Sequence, residues 1–415
     1  MRVAVVGSGV SGLVAAWLLH PAHEVTVFEA DARVGGHVHT VPVKGPDADW
    51  AVDTGFIVFN ERNYPLFCRI LDRLGVASRA GDMSFSVHEE ATGIEWEGSG
   101  LGGAFAQRRN LLRPAHLRML LEVLRFHREA RALLGDGGET TLGAWVESRG
   151  FSRTFRERFL VPMAAAIWSA DPDRILEGPA RSFARFFHNH GMLAVNGRPR
   201  WRTIVGGSAR YVERLTAGFR DRIRTRTPVA SIRRLPGGVR VTPAGGPPEE
   251  FDHAVLAAHS DQALRLLEDP SDAEREVLGA IPYQANDAVL HTDPSALPRS
   301  PRARACWNAF VPREGRGRVT VTYDMNRLQG LAARETYCVT LNRPEAAAPE
   351  RVLGRFLYHH PVYTAAAPAA QARRDEVSGV RRTWYCGAWW GHGFHEDGVR
   401  SAVAVAERLA GTGIP

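Results

Sequence analysis

Three glycines near the start of the 415-residue chain have the spacing of a dinucleotide-binding turn. Gly7, Gly9 and Gly12 follow a short apolar run, and apolar residues at helical spacing come directly after them. In such a turn the first glycine permits the tight bend, the second lets a pyrophosphate approach the backbone, and the third lets helix and strand pack closely. The start of the helix, with Ser11 in its first turn, offers free N–H groups to the phosphates. Glu29 ends the next apolar run and is placed to accept hydrogen bonds from a ribose hydroxyl.

The residues after Glu29 indicate which dinucleotide binds. They read Ala30-Asp-Ala-Arg33-Val-Gly35-Gly36-His37, so a second glycine pair follows the acid closely. Here the chain resembles the flavin-dependent amine oxidase superfamily, whose members extend the strand acid into a Gly-Gly that approaches FAD. Most of that superfamily has arginine where this chain has His37. The resemblance implies FAD as the cofactor, with contacts from Ala30, Arg33, Gly35, Gly36 and His37.

Motifs further along extend the resemblance over nearly the whole chain. The run Asp53-Thr-Gly55-Phe56 resembles the turn back toward the flavin, and the position of Val229 meets the adenine through its backbone in related flavoproteins. The glycine-rich segment before the last helix is similar to the part that holds the reactive ring, and it implies contacts from Gly387, Phe394, Glu396, Asp397 and Gly398. With Gly-Gly-His, these motifs resemble a narrower bacterial family of predicted NAD/FAD-binding proteins. Its members are often encoded beside cyclopropane-fatty-acid-synthase-like methyltransferases.

Three histidines are candidates for a catalytic base. His188 and His190 lie in a polar cluster on an aromatic background, and His395 stands in the flavin loop beside Glu396. Neutral imidazole is the commonest base near neutral pH, which makes these residues candidates for proton transfer. Most histidines in such surroundings are structural, so that interpretation stays open for each of them.

These residues require a fold that brings both ends of the chain to one site. We predict an α/β fold in which a Rossmann-type FAD-binding domain of the glutathione-reductase-like, amine oxidase type carries a discontinuous α+β substrate domain. The FAD-binding domain would comprise residues 1–82, 205–271 and 375–415. The substrate domain would combine a helical insertion at 83–204 with an antiparallel sheet at 272–374, where apolar and polar residues alternate.

The segment 107–134 alternates leucine with arginine and has two interpretations. Pro114 is expected to start its main helix. The helix could pack on the core with a solvated basic face. Alternatively, Leu117, Leu120 and Leu124 could dip into a bilayer while the arginines meet anionic head groups.

Composition narrows the partners and the compartment. The net charge is +7 and Lys44 is the only lysine, so nearly all of the basic residues are arginine. No nucleic-acid-binding motif accompanies that charge, whereas an anionic membrane surface is a compatible partner. The four cysteines are scattered and form no CxxC pair, so we predict neither a disulfide nor a metal site. We expect a cytoplasmic protein with peripheral contact at the inner face of the cell membrane.

The resemblance implies an FAD-dependent oxidoreductase and leaves the substrate to be argued. In the narrower family the substrate would be a methyl-branched unsaturated fatty acyl chain of a membrane lipid, and the neighbouring methyltransferase would be a candidate partner. A desaturase would pass an allylic hydride to flavin N5 and form a conjugated diene, as in furan-fatty-acid formation. A double-bond isomerase is the nearest alternative. An amine oxidase is disfavoured because many such enzymes place a lysine near N5, whereas Lys44 lies in an early loop. A flavin-bound scaffold for the methyltransferase is the non-enzymatic alternative.

Overall fold

The computed structural model describes residues 1–135, 140–168, 172–193, 199–313, 319–364 and 366–414. The described strands are β1 (Arg2–Val6), β2 (Glu24–Phe28), β3 (Thr40–Lys44), β4 (Asp49–Asp53), β5 (Phe59–Asn60), β6 (Ser78–Ala80), β7 (Phe85–Glu89), β8 (Ile94–Glu97), β9 (Trp201–Ile204), β10 (Ile223–Arg224), β11 (Val229–Arg234), β12 (Val239–Pro243), β13 (Glu249–Phe251), β14 (His253–Leu256), β15 (Tyr283–His291), β16 (Trp307–Val311), β17 (Thr320–Asp324), β18 (Cys338–Leu341), β19 (Val352–Pro361) and β20 (Thr383–Tyr385).

The described α-helices are α1 (Val10–Leu19), α2 (Pro65–Arg73), α3 (Leu101–Ala104), α4 (Pro114–Ala132), α5 (Leu142–Ser148), α6 (Arg153–Phe155), α7 (Val161–Trp168), α8 (Pro172–Glu177), α9 (Ala180–Asn189), α10 (Ala209–Thr216), α11 (Ser260–Leu266), α12 (Asp272–Gly279), α13 (Met325–Gln329), α14 (Ala366–Ala372), α15 (Arg374–Val377) and α16 (His395–Ala410). Seven of the described helices, α3 to α9, follow one another between β8 and β9. A π-helical stretch, Arg156–Leu160, joins α6 to α7.

A five-stranded parallel sheet draws its strands from the beginning, middle and end of the chain. Its order is β10-β2-β1-β14-β20, and every neighbouring pair is parallel. Both faces of β1 are covered, which explains its unbroken apolar run. Val3 and Val5 pack with the helices α1 and α16, whereas Ala4 and Val6 pack with the three-stranded sheet β11-β12-β13. The α/β class predicted from the sequence is confirmed.

A seven-stranded sheet forms the wall of the second region, in the order β19-β15-β18-β17-β16-β7-β8. Its last two strands come from much earlier in the chain and pair as an antiparallel hairpin. The sheet is mixed, because β7 runs parallel to β16. The substrate domain therefore draws one sheet from both of its predicted segments, although the predicted domain boundaries themselves stay a prediction.

The leucine- and arginine-rich segment forms a 3₁₀ turn, Arg108–Leu112, and then helix α4, which begins at Pro114 as predicted. Met119 and Phe126 of α4 are buried in the core of the substrate region. Leu120 packs against that core as well, so its predicted place on a lipid-facing surface is wrong. Leu121 lies on the exposed face instead, at 69% exposure. None of the described helices combines the length and apolar content needed to cross a membrane.

Candidate functional site

One cavity of about 680 Å³ connects the carboxyl ends of the parallel strands with the seven-stranded sheet. The turn after β1 forms one wall, and the segment after β14 lies beside it. The end of β19 and the loop before α16 form the opposite wall. Ligands of open α/β sheets bind outside the carboxyl ends of their strands, so this cavity has the expected position.

The three predicted glycines have different surroundings in the turn after β1. A Cβ atom on Gly12 would collide with the carbonyl oxygen of Gly7, and one on Gly7 would lie 2.8 Å from the carbonyl oxygen of Ala257. These two glycines therefore allow close packing within the protein. A Cβ atom on Gly9 would meet nothing within 4 Å, although Gly9 lines the cavity. The backbone at Gly9 is thus open to a ligand, and α1 begins directly after it, where helix N–H groups lack intrahelical partners.

Glu29 marks one end of the cavity. Its carboxylate accepts hydrogen bonds from the backbone N–H of Ser8 at 2.9 Å and from that of Asp31 at 2.8 Å. These bonds fix the carboxylate at the end of β2, and it lines the cavity together with Ala30 and Val229. A fixed carboxylate here fits a ribose hydroxyl, and the open Gly9 turn fits phosphate, so the cavity suits a dinucleotide.

Most of the predicted cofactor residues line this one cavity, although they come from distant parts of the chain. Those that do are Gly7, Gly9, Ser11, Glu29, Ala30, Gly35, Gly36, His37, Gly55, Phe56, Val229, Gly387 and Phe394.

Five other predicted cofactor residues do not line it, and each makes a contact within the protein. Gly12 packs as described above, and the guanidinium of Arg33 donates to the carbonyl of Val38. The carboxylate of Glu396 accepts the N–H groups of Leu66 and Phe67 at the start of α2, both at 3.0 Å.

The remaining two of these residues shape the start of α16. Asp397 accepts the N–H groups of His392 and Phe394, so its carboxylate orders the loop before the helix. A Cβ atom on Gly398 would lie 2.7 Å from Val10, so this glycine lets α16 approach α1. These five residues stabilise the segments around the cavity. Their contacts with the cofactor remain a prediction.

His395, the favoured base candidate, is held in an aromatic cluster. Its ring stacks on Phe56 with centroids 3.7 Å apart, and its Nε2 shares a 2.7 Å hydrogen bond with the hydroxyl of Tyr211. Burial lowers the pKa of His395 to about 3. Protonation of this imidazole is therefore costly at neutral pH, and Tyr211 already occupies its Nε2.

The other two candidates differ in their relation to the cavity. His188 is exposed on α9 and does not line the cavity. His190 lies behind the cavity wall, stacked on Phe186 and 5.5 Å from the ring of Phe394. Its Nδ1 donates to the carbonyl of Phe186 at 3.0 Å, so its Nε2 carries the lone pair. Burial lowers the pKa of His190 to about 4.

A second group of histidines lines the cavity and was not among the predicted catalytic candidates. His259 follows β14, and His359 and His360 end β19. The adjacent pair in His359-His360-Pro361 was the available sequence signal. The fold was needed to show that His360 lies 5.3 Å from His37, centroid to centroid, across 323 residues of chain.

A sequence profile described as flavin containing amine oxidoreductase matches residues 10–410. This chain belongs to that family. The match covers almost the full length of the chain. The prediction that the protein is an FAD-dependent oxidoreductase is confirmed. Most of the residues that we predict to contact FAD line the cavity described above.

Proteins that are similar to this chain have names that describe different activities. The carotenoid phi-ring synthase of Streptomyces griseus is 26% identical, in an alignment covering 100% of this chain and 84% of that protein. Cyclohexylamine oxidase from Brevibacterium oxydans shares the fold with a TM-score of 0.72, at 17% identity over 98% of this chain and 99% of the other. The CLA-producing fatty acid isomerase from P. acnes has a TM-score of 0.68, at 17% identity over 99% and 98% of the two chains. The fold is therefore shared by proteins with different named activities.

Proposed function

We propose that this flavoenzyme desaturates a methyl-branched, unsaturated fatty acyl chain at an allylic carbon. The substrate loses one hydride from the allylic C–H bond and one proton from a neighbouring carbon, and the electron pair left behind forms the second double bond of a conjugated diene. FAD, when bound, supplies the two-electron acceptor for a single turnover. The residues of this chain bind the acyl chain, exclude water and take the proton.

The observation that carries this proposal is the lining of the cavity beyond the flavin loop. That wall is apolar and aromatic, with contributions from Ile167, Trp201, Trp307, Tyr323, Leu328, Leu341, Tyr358 and Phe394. Among the described residues, Glu29 is the only acid that lines the cavity, and Ser8 and Asp31 already occupy its carboxylate. A protonated amine would therefore lack an acidic partner here, whereas a hydrocarbon chain needs none. The named substrates of the carotenoid and fatty-acid relatives are in keeping with an unsaturated lipid.

Among the three histidine candidates, we assign to His190 the role of accepting the proton that the substrate loses. The hydrogen bond from its Nδ1 to Phe186 leaves Nε2 unprotonated, as a base requires. Phe394 and Trp201 separate this ring from the cavity, so a rotation of either side chain would have to open a path. We assign His395 to packing because Tyr211 and Phe56 hold its ring.

The reaction can be tested by anaerobic mixing of the FAD-loaded protein with a methyl-branched, monounsaturated acyl lipid. We expect the flavin absorbance to bleach while a conjugated diene appears in equal amount. The variant His190→Asn keeps a side-chain donor for Phe186 and removes Nε2, so it should slow bleaching by roughly 100-fold. The matched control lipid is saturated, lacks an allylic C–H bond and should leave the flavin oxidised.

Each alternative gives a different result in that experiment. A shifted double bond with an oxidised flavin at the end would identify an isomerase and overturn the desaturase. Bleaching by cyclohexylamine but not by the lipid would identify an amine oxidase. If His190→Asn bleaches at the rate of the unmodified protein, the assignment of the proton to His190 is wrong.

We also propose that the outer face of α4 meets an anionic membrane surface, where such a lipid would be found. Leu117, Leu121 and Leu124 share this face and are 37%, 69% and 57% exposed. Leu112, just before the helix, is 86% exposed. The exposed arginines near them are Arg108, Arg109, Arg118, Arg128 and Arg131. The exposed leucines would contact the acyl chains of an anionic leaflet, and the arginines around them would contact its phosphate groups.

This contact can be measured by sedimentation with vesicles that contain anionic phospholipid. The triple variant Leu117→Ser, Leu121→Ser, Leu124→Ser should bind about 100-fold more weakly, since three leucines contribute roughly 1 kcal/mol each when partly buried in lipid. Raising the salt concentration from about 0.1 M to about 0.5 M should also weaken the binding of the unmodified protein to the vesicles, because salt screens the attraction between the arginines and the anionic head groups.

The matched control is Leu353→Ser with Leu357→Ser, because these leucines are 45% and 58% exposed on β19, away from α4. The control should bind vesicles as the unmodified protein does. If the α4 variant also sediments unchanged, the face does not meet lipid. If the α4 variant instead alters only self-association, the face is a contact between protein copies.

A further inference from the structure

Three histidines, His37, His259 and His360, converge in the cavity that the Gly9 turn lines. His37 follows Gly36, at which a Cβ atom would lie 3.0 Å from the Cα of Gly9. The ring of His37 is 5.3 Å from that of His360 and 6.4 Å from that of His259. All three line the cavity together with Gly9. The Nε2 atom of His37 is buried and has no hydrogen-bond partner among the described residues.

A chain of hydrogen bonds determines which nitrogen of His360 carries the proton. The side-chain oxygen of Asn342 accepts the backbone N–H of Asp287, so its amide nitrogen is a donor. That nitrogen donates to the side-chain oxygen of Asn286 at 2.8 Å.

The orientation of Asn286 then sets the imidazole. Its amide nitrogen donates to the backbone carbonyl of Gln284 at 3.2 Å, which gives the same orientation independently. The same nitrogen lies 3.0 Å from Nδ1 of His360. Because an amide N–H can only donate, Nδ1 must accept, and the ring proton of neutral His360 lies on Nε2.

His259 is held at the start of α11 by a backbone hydrogen bond and by ring stacking. The side chain of Gln262 accepts the backbone N–H of His259 at 3.3 Å. The ring also stacks on Tyr283 with centroids 4.2 Å apart. A neutral imidazole carries one N–H, so the ring of His259 has one donor for a ligand in the cavity.

Several titratable side chains face this cluster, and in the described structure none of them forms an ion pair with it. Arg33 and His395 face His37, and Asp261, Arg265 and His359 face His259. Burial lowers the pKa of His259 and that of His360 to about 4. Burial, followed by the influence of His360, also holds the pKa of His37 well below its ordinary value.

We propose that His259 and His360 bind acceptor oxygens of FAD beside the Gly9 turn as neutral N–H donors, and that His37 completes this set through its free Nε2. A charged side chain at this place could bind FAD by an ion pair. The three neutral histidines bind it by directed hydrogen bonds instead. Three consequences distinguish it from an ionic site. The proton of His360 lies on Nε2 before FAD binds, binding takes up no proton at neutral pH, and a neutral amide can replace the imidazole.

Two substitutions at His360 test which of its two ring nitrogens donates a hydrogen bond to FAD. Glutamine extends its amide nitrogen to about the position of Nε2, whereas asparagine reaches only the position of Nδ1. His360→Gln should bind FAD within about threefold of the unmodified protein, and His360→Asn should bind about 10- to 100-fold more weakly, since a polar contact of the cofactor is then left unmade. FAD affinity is measured by quenching of flavin fluorescence when FAD is added to apoprotein. Equal affinities of the two variants would overturn the proposal.

Two measurements on the unmodified protein keep the test independent of how the variants fold. Nitrogen-15 NMR of the histidine rings in the apoprotein should show His360 as the Nε2–H tautomer, identified by its loss in His360→Gln. Calorimetric titration with FAD in two buffers of different ionisation enthalpy should give the same heat at pH 7. An Nδ1–H tautomer, or the uptake of a proton with each FAD, would overturn the neutral-donor assignment. Both readouts concern FAD alone, so they do not depend on which lipid the enzyme oxidises.

Discussion

The substitution Gly9→Val should yield a folded protein that no longer retains FAD. The backbone at Gly9 has φ −67° and ψ 178°, which valine adopts without strain. A Cβ atom there meets no protein atom within 4 Å, so the added side chain would start in the open space of the cavity that Gly9 lines. We expect FAD affinity to fall by more than about 100-fold, because the phosphates lose their contacts with the helix N–H groups.

Two companion variants separate cofactor binding from folding. Gly237→Val is the matched control, because a Cβ atom there also meets nothing within 4 Å and Gly237 does not line the cavity. It should bind FAD normally. Gly12→Ala should instead destabilise the protein, since its Cβ atom would collide with Gly7. Urea unfolding of the apoproteins and flavin absorbance after reconstitution are the two measurements. A yellow Gly9→Val protein would show that the phosphates do not approach this glycine.

The largest stability effect is expected at the ion pair that joins β11 to α12. Arg234 donates to both carboxylate oxygens of Glu274, at 2.8 and 3.1 Å, and the two side chains are 2% and 4% exposed. Arg234→Met would leave the Glu274 carboxylate buried without this partner, which should cost about 3–5 kcal/mol in the free energy of unfolding. The matched control is Arg240→Met, which breaks a pair that is 39% and 61% exposed and should cost less than about 1 kcal/mol.

The same pair predicts a pH dependence. Burial raises the pKa of Glu274, but hydrogen bonds from Arg234 and Tyr385 outweigh it and bring the pKa below the ordinary value of 4.5. The stabilisation is therefore present above pH 4.5 and is lost as the pH falls through the lower, folded-state pKa. The difference in stability between the unmodified protein and Arg234→Met should shrink over that range. A difference that stays constant down to acid unfolding would show that Glu274 is not the group responsible.

The parts of the site that were predictable from the sequence are those whose residues lie close together in the chain. The turn of Gly7, Gly9 and Gly12 needs only a strand, a bend and a helix, and each leaves a local pattern. The contact between Tyr211 and His395 joins residues 184 positions apart, and that between Asn286 and His360 joins residues 74 positions apart. No local pattern records such contacts, because they depend on how separate segments meet.

Helix α4 shows the limit of a periodic pattern. Its leucines follow one another so densely that several choices of buried face agree with the sequence. Packing on the core of the substrate region selects the face that includes Met119, Leu120 and Phe126, and Leu121 is left outside. The choice is made by tertiary packing, which the helical period alone does not contain.

The composite origin of the five-stranded sheet has a consequence for biosynthesis. A ribosome delivers β1 and β2 first, β14 some 220 residues after β2, and β20 with α16 at the very end of the chain. The strand β1 pairs with β14, so this pair waits until more than half of the chain has been made. Helix α1 packs against α16, so this contact cannot form until the chain is almost complete. Apolar residues of α1 therefore stay uncovered throughout most of translation, and such late, long-range pairing favours slow folding and aggregation. Chaperone binding to the nascent chain, and the supply of FAD at the moment of release, should accordingly govern how much active enzyme a cell accumulates.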